Sequence, residues 1–216
     1  MGVLKGSIGY AKFHVRGALP DDVHQRFLAR VRARAFKPLT PEDEDDASVG
    51  WMPIERPFDD EVSFRSEGVF FGSYLNLALR IDRWKFPSSL VKAKMAAAER
   101  VYRQKTNKER ISRAEKAELR EAVERKLRRD GEPTTKTADF TWNLATRELR
   151  LFGKSKLVVE HFHELFEKTF QLRLLPAGPY ITGIAVELPK GLERALAEVE
   201  PTAFHHRGAR RAAEVA

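Results

Sequence analysis

The sequence predicts an α+β protein: antiparallel sheets with packed helices, built as two small β-α-β-β-like units joined by a basic helix pair. Three observations carry this expectation. Short runs of alternating apolar and polar residues recur in both halves of the chain. Between them lie windows with an apolar residue every three or four positions, the spacing of amphipathic helices. The resulting order, β-α-β-β-(α-α)-β-β-α-β, sets strands next to strands rather than alternating strictly with helices, which favours antiparallel pairing.

The elements follow in order. Residues 7–15 carry Ile8, Tyr10, Phe13 and Val15 around Lys12 and read as a strand. Pro20, Asp21 and Asp22 mark a helix start, and Val23, Phe27, Leu28 and Val31 share one face of a helix ending near Ala35. Residues 37–49 form a loop holding the acidic run Glu42-Asp43-Glu44-Asp45-Asp46, and Gly50-Trp51-Met52-Pro53 is a short extended segment. Residues 62–65 read as another strand and residues 68–81 as one long strand, with Leu75, Leu77, Leu79 and Ile81 alternating.

Pro87-Ser88-Ser89 opens a helix to about Gln104 with a stripe of Val91, Met95, Ala98, Val101 and Tyr102, and Thr106-Asn107-Lys108 interrupts it. Ser112 followed by Glu115 is a capping-box signature, so a second helix starts there, turns Leu119, Val123 and Leu127 inward, and ends before Asp130-Gly131-Glu132-Pro133. Residues 138–145 and 148–152 flank a short turn and read as a hairpin. Ser155 caps a helix to about Phe170 that buries Leu157, Val158, His161, Leu165 and Phe166. Residues 172–175 form a short strand stopped by Pro176. A strand at 181–187, a helix at 190–199 and a frayed tail complete the chain. The expected divisions are an N-terminal α+β unit (1–82), the basic helical pair (83–133), a C-terminal α+β unit (134–200) and a flexible tail (201–216).

Charge is the most uneven property of the chain. It has 216 residues, 39 Lys+Arg against 31 Asp+Glu, and a net charge of +8. Residues 80–129 alone hold 17 Lys+Arg against 7 Asp+Glu, a net of +10, which leaves −2 for everything else. A localised basic surface is the electrostatic footprint of a partner rich in phosphate, with nucleic acid first and an anionic membrane surface second. The 14 Phe and 42% hydrophobic content suffice for a core. The absence of cysteine excludes disulfides, thiolate zinc sites and cysteine nucleophiles, and it fits a reducing compartment. The N-terminus lacks the apolar core of a signal peptide, and no run of about 18 apolar residues occurs, so a soluble cytoplasmic chain without a membrane span is expected.

The candidate DNA-binding residues are Lys92, Arg100, Arg103, Lys105, Lys108, Arg110, Arg113, Lys116, Arg120, Arg125, Arg128 and Arg129. Arg113, Lys116 and Arg120 share one helix face, and Lys92, Arg100 and Arg103 avoid the apolar stripe of the preceding helix. Rows of this kind suit a phosphate backbone, each contact releasing a counterion. The plain alternative is a solvated helix face with i,i+4 pairs such as Glu121–Arg125, and with final-turn cations that complement the helix dipole. No aromatic ladder interrupts these residues, so backbone contact is expected rather than base stacking.

Other features carry less. The acidic run lacks the spacing of a calcium loop and reads as a solvated loop. His161 and His163, two apart on a helix, point to different sides and do not share a metal; one is expected in the core and one on the surface. No Gly-rich phosphate loop, nucleophile elbow or nuclease carboxylate set is visible, so no catalytic residue, metal ligand or cofactor is assigned. Trp51, Trp84 and Trp142 are read as core or interface anchors.

Several short motifs, in the same order along the chain, resemble those of the RdgC family of bacterial recombination-associated proteins. Ala35-Phe36-Lys37-Pro38, the acidic loop and Gly50-Trp51-Met52-Pro53 resemble its AFxP…GWxP opening. Phe86-Pro87-Ser88-Ser89-Leu90-Val91-Lys92 is similar to its LPxSVVK helix start, and residues 115–123 to its EKxxLKEEV helix. Residues 142–152 resemble its hairpin, and Ser155 onward its next helix, through Leu174-Leu175-Pro176. The resemblance spans about residues 5–180. It implies DNA binding without base specificity, a homodimer closing into a ring with a basic channel around duplex DNA, nucleoid association, and restraint of RecA. Two departures stand out: Arg128-Arg129-Asp130-Gly131-Glu132-Pro133 replaces an LLPxAF segment, and the family's C-terminal domain is expected to be absent. The competing expectations are a metal-dependent nuclease and a non-catalytic adaptor for an acidic protein.

Overall fold

The computed structural model describes residues 9–185 and 190–200. The chain divides into two compact units, one running through Pro176 and the other from Ala177.

The first unit contains β1 (Ala11–Arg16), α1 (Val23–Ala33), β2 (Ala47–Met52), α2 (Ser66–Val69), β3 (Phe70–Phe71), β4 (Tyr74–Arg83), α3 (Ser88–Thr106), α4 (Arg113–Asp130), β5 (Thr134–Asn143), β6 (Glu148–Leu151), α5 (Lys156–Phe170) and β7 (Arg173–Pro176). Its strands form one antiparallel sheet in the order β2-β4-β5-β6-β1-β7, with β3 folded back on β4. The antiparallel α+β expectation is met, with one rearrangement. β1 sits between β6 and β7, so strands from the two halves interleave in a single sheet instead of forming two.

Alternation explains which face is which. Leu75, Leu77, Leu79 and Ile81 of β4 point with Ala138, Phe140 and Trp142 of β5 toward α1 and α5. Phe27, Trp51, Phe140, Trp142, Phe162, Phe166 and Phe170 are fully buried there. Their rings meet edge-on or tilted: Phe140 lies 4.9 Å from Phe162 and Trp142 5.3 Å from Phe166. Thr169 Oγ1 accepts a hydrogen bond from Trp51 Nε1 at 2.9 Å. The buried face of α5 runs Val158, Phe162, Phe166, Thr169 and Phe170, rotated from the expected one, while Leu157, His161, Leu165 and His163 are only half-buried.

Three other expectations are corrected. Residues 62–65 are not a strand; Phe64 is buried and its carbonyl accepts from Arg32 Nη2 at 2.8 Å. The long strand at 68–81 is a helical turn, then β3, then β4, because Gly72 at φ +56 reverses the chain and pairs Phe71 with Tyr74. In the second unit, residues 179–185 are helical (α6, Pro179–Ala185) rather than a strand, followed by α7 (Lys190–Ala197). Residues 1–8, 186–189 and the tail from 201 lie outside the described residues.

The AFxP…GWxP pattern has a physical basis. Phe36 N donates to Trp51 O at 2.9 Å and Trp51 N to Arg34 O at 3.0 Å, so the chain after α1 runs flush against β2. A Cβ at position 50 would fall 2.3 Å from Phe36 Cα, so only glycine admits this approach. Phe36 then lies under the Arg80 guanidinium, 4.2 Å from ring centroid to Cζ.

Candidate nucleic-acid interface

α3 and α4 form a helical hairpin that carries all twelve predicted cations. At 19 residues α3 is about 28 Å long. Val91, Met95 and Tyr102 of α3 and Leu119 and Val123 of α4 are half-buried, Val101 of the expected stripe is exposed, no residue of α3 is fully buried and only Leu127 of α4 is. Two helices alone cover each other on one side only, so the rest of the surface faces water. Among the described residues no helix is long and apolar enough to cross a membrane.

The base of the hairpin is tied to the body. Arg128, expected to contact DNA, instead donates to the Asp43 carbonyl at 2.7 Å and pairs with the Asp46 carboxylate, its side chain only 13% exposed. Arg128 is a structural tether, and the acidic loop, exposed along Glu42 to Asp46 as expected, supplies its acceptors. Trp84 N also donates to Asp46 O at 3.0 Å, and Trp84 stacks on Phe86 at 6.0 Å where the chain enters α3.

The tip is built around Glu115. Its carboxylate accepts from Lys108 Nζ at 2.6 Å, Tyr102 OH at 2.8 Å and Ser112 N at 2.8 Å, while Ser112 Oγ accepts from Glu115 N at 3.2 Å. This is the capping box predicted from Ser112 and Glu115, and it satisfies donors otherwise left open at the start of α4. The Lys108 ammonium, then the Ser112 amide and the Tyr102 hydroxyl, hold the Glu115 carboxyl down at about 2. The same contact raises the Lys108 and Tyr102 values. Asn107, at φ 53, ends α3 in the left-handed conformation.

The remaining cations divide by partner. Arg103 and Lys116 converge on Glu99 at 3.7 and 3.5 Å, and Arg120 pairs with Glu124 at 2.8 Å. These exposed pairs are weak and do not withdraw the charge from solvent. Lys92, Arg100, Lys105, Arg110, Arg113, Arg125 and Arg129 are exposed and form no ion pair among the described residues. Arg129, in the last turn of α4, is accounted for by the helix dipole. Arg113 is not: it occupies the first turn, where a cation opposes the dipole. Lys105, Lys108, Arg110 and Arg113 thus gather at the tip with only Glu109 and Glu115 in the same stretch.

Two cations of the hairpin were outside the predicted set. Lys94 and Lys126 rim, with Lys105, a groove of about 490 Å³ floored by Ala97, Val101, Leu119 and Val123. The signal for them was the same basic run; they sit beside apolar stripe positions and so look like seam residues. Elsewhere, His163 Nε2 lies 3.1 Å from Leu174 O. Among the described residues no group of three or more His, Asp or Glu is placed to hold a metal ion. No protein-family model matches the chain, and no curated protein matches it.

Proposed function

We propose that this protein binds duplex DNA without reading its sequence, through phosphate contacts from the α3–α4 hairpin. The observation that carries the proposal is the set of hairpin cations without acidic partners among the described residues, above all Lys105, Arg110 and Arg113 at the tip. Helix stability gives no reason for a cation at Arg113, and a phosphate partner gives one. The motif resemblance to the RdgC family supports the same reading. It extends the proposal to a nucleoid-associated homodimer that modulates homologous recombination by restraining RecA. Arg128 is withdrawn from the contact set, and Lys94 and Lys126 join it.

Fluorescence anisotropy with a labelled duplex tests the proposal. Affinity is expected to fall steeply with salt, at about −0.9 in log–log slope per phosphate engaged, and not to depend on base sequence. Affinity that ignores salt would refute it. Sedimentation analysis tests the dimer, and strand exchange by RecA with and without the protein tests the antagonism. The competing nuclease reading gains nothing from the acidic loop, where the Asp46 carboxylate pairs with Arg128, the Asp43 carboxylate accepts from Thr40 N, and no group of three acidic residues among the described residues is placed to hold a metal ion. Degradation of DNA in magnesium or manganese would nevertheless establish it.

A further inference from the structure

The hairpin is not the only surface suited to nucleic acid. The sheet has a second face, opposite α1 and α5. Loop residues cover it over β2 and β4, where Asp59 and Asp60 reach the buried Arg80. Over β5, β6 and β1 the register lines up Thr141, Arg150 and Lys12 in one row across three strands. The next row begins with Phe71 and Tyr74, paired across the β3–β4 turn.

The aromatic residues there are exposed. Phe71 is 79% exposed, Tyr74 45% and Tyr10 36%. Phe71 and Tyr74 lie side by side at one end of this face, apart from Tyr10, and exposed paired rings are an unusual use of surface unless something covers them. The charge beside them is positive. Lys12 and Arg150 each approach Glu148 at 2.7 Å, two cations to one carboxylate, and together they hold its pKa below the ordinary value. The Arg150 guanidinium also lies over the Tyr10 ring, 5.4 Å from its centroid. On β1, Arg16 continues the row of Lys12, facing the same way and exposed. Cations four residues apart along β1, on a face that also carries exposed rings, match an extended polyanion whose bases are free to stack.

We infer that this sheet face binds single-stranded nucleic acid, its bases stacking on Phe71 and Tyr74 and its backbone following Arg150, Lys12 and Arg16. Duplex bases are stacked on one another and cannot use such rings, so the site distinguishes single strands from duplexes. It is separate from the hairpin surface and does not depend on the duplex reading.

The test uses the full chain and three fluorescein-labelled probes of equal length: oligo-dT, an abasic oligomer of the same charge, and a duplex. Oligo-dT should bind tighter than the abasic oligomer. Phe71→Leu and Tyr74→Leu, conservative changes at exposed positions, should each weaken oligo-dT binding by about fivefold or more and leave duplex binding unchanged. Neutralising Lys105, Arg110 and Arg113 together should do the reverse. Equal binding of the abasic oligomer, or oligo-dT affinity unmoved by Phe71→Leu and Tyr74→Leu, would overturn the inference. Loss of both activities in the hairpin variant would overturn it too. Failure of duplex binding with oligo-dT binding intact would refute the hairpin proposal and leave this one standing.

Discussion

The body and the hairpin of the first unit are held together in opposite ways. In the body, seven large aromatic rings meet under one sheet almost wholly out of solvent, and Phe27 and Phe166 each contact both Trp142 and Phe170. In the hairpin α3 buries nothing completely, and order comes from a capping box, a left-handed Asn107 and a polar tether at the base. The lesson concerns where mutations act. Changes in the body read out as stability, and changes in the hairpin read out as charge presented to a partner.

The largest expected effect is in the body. Trp142→Ala removes a fully buried indole from a ring cluster and should cost about 4 kcal/mol, measured by denaturant unfolding. Gly50→Ala should cost about 3 kcal/mol, because the new methyl meets Phe36 backbone that is itself hydrogen-bonded to Trp51. A near-neutral result at either position would break the contrast by showing that the body tolerates what a close-packed core does not.

At the junction the effect should be smaller and local. Arg128→Ala removes the bonds to Asp43 and Asp46 and should cost about 1 kcal/mol. Amide exchange should quicken at the base of α3 and α4 while β4 and β5 stay protected. Global destabilisation would mean that hairpin and body unfold as one.

The smallest effect is at the tip and depends on pH. The Glu115 carboxyl is held at about 2 in the folded chain against an ordinary 4.5. The folded state therefore favours the ionised form, and its contribution is complete above about pH 4.5. It is lost as the pH falls toward 2. Amide protection in the first turn of α4 should decline across that window, and Glu115→Gln should abolish the dependence. An unchanged profile in Glu115→Gln would show that other carboxylates govern the tip.

What was legible in the sequence follows the range of the interaction. Ser112 and Glu115 are three residues apart, and their capping box could be recognised because both partners lie within one turn. The order from α3 to β7 was legible for the same reason, while residues 62–71 and 179–185 were misread. The insertion of β1 between β6 and β7 joins residues more than 130 positions apart, and no local pattern encodes it. Gly72 stood inside an apolar run whose continuity masked the turn. In the hairpin the charge cluster was plain, but the fate of each cation was not. Arg128 resembles Arg125 in the sequence, and only the distant acidic loop separates tether from free charge. The row of Arg150 and Lys12 on the sheet was hidden altogether, since strand register creates it.

One measurement bears most directly on the central claim: the salt dependence of duplex DNA affinity for the native chain and for a variant with Lys105, Arg110 and Arg113 changed to alanine. The native chain should show a steep log–log slope, and the variant should bind more weakly with the slope reduced by about 3 while unfolding at the same denaturant concentration. An identical slope and affinity in the variant would contradict the assignment of the hairpin tip as the DNA surface.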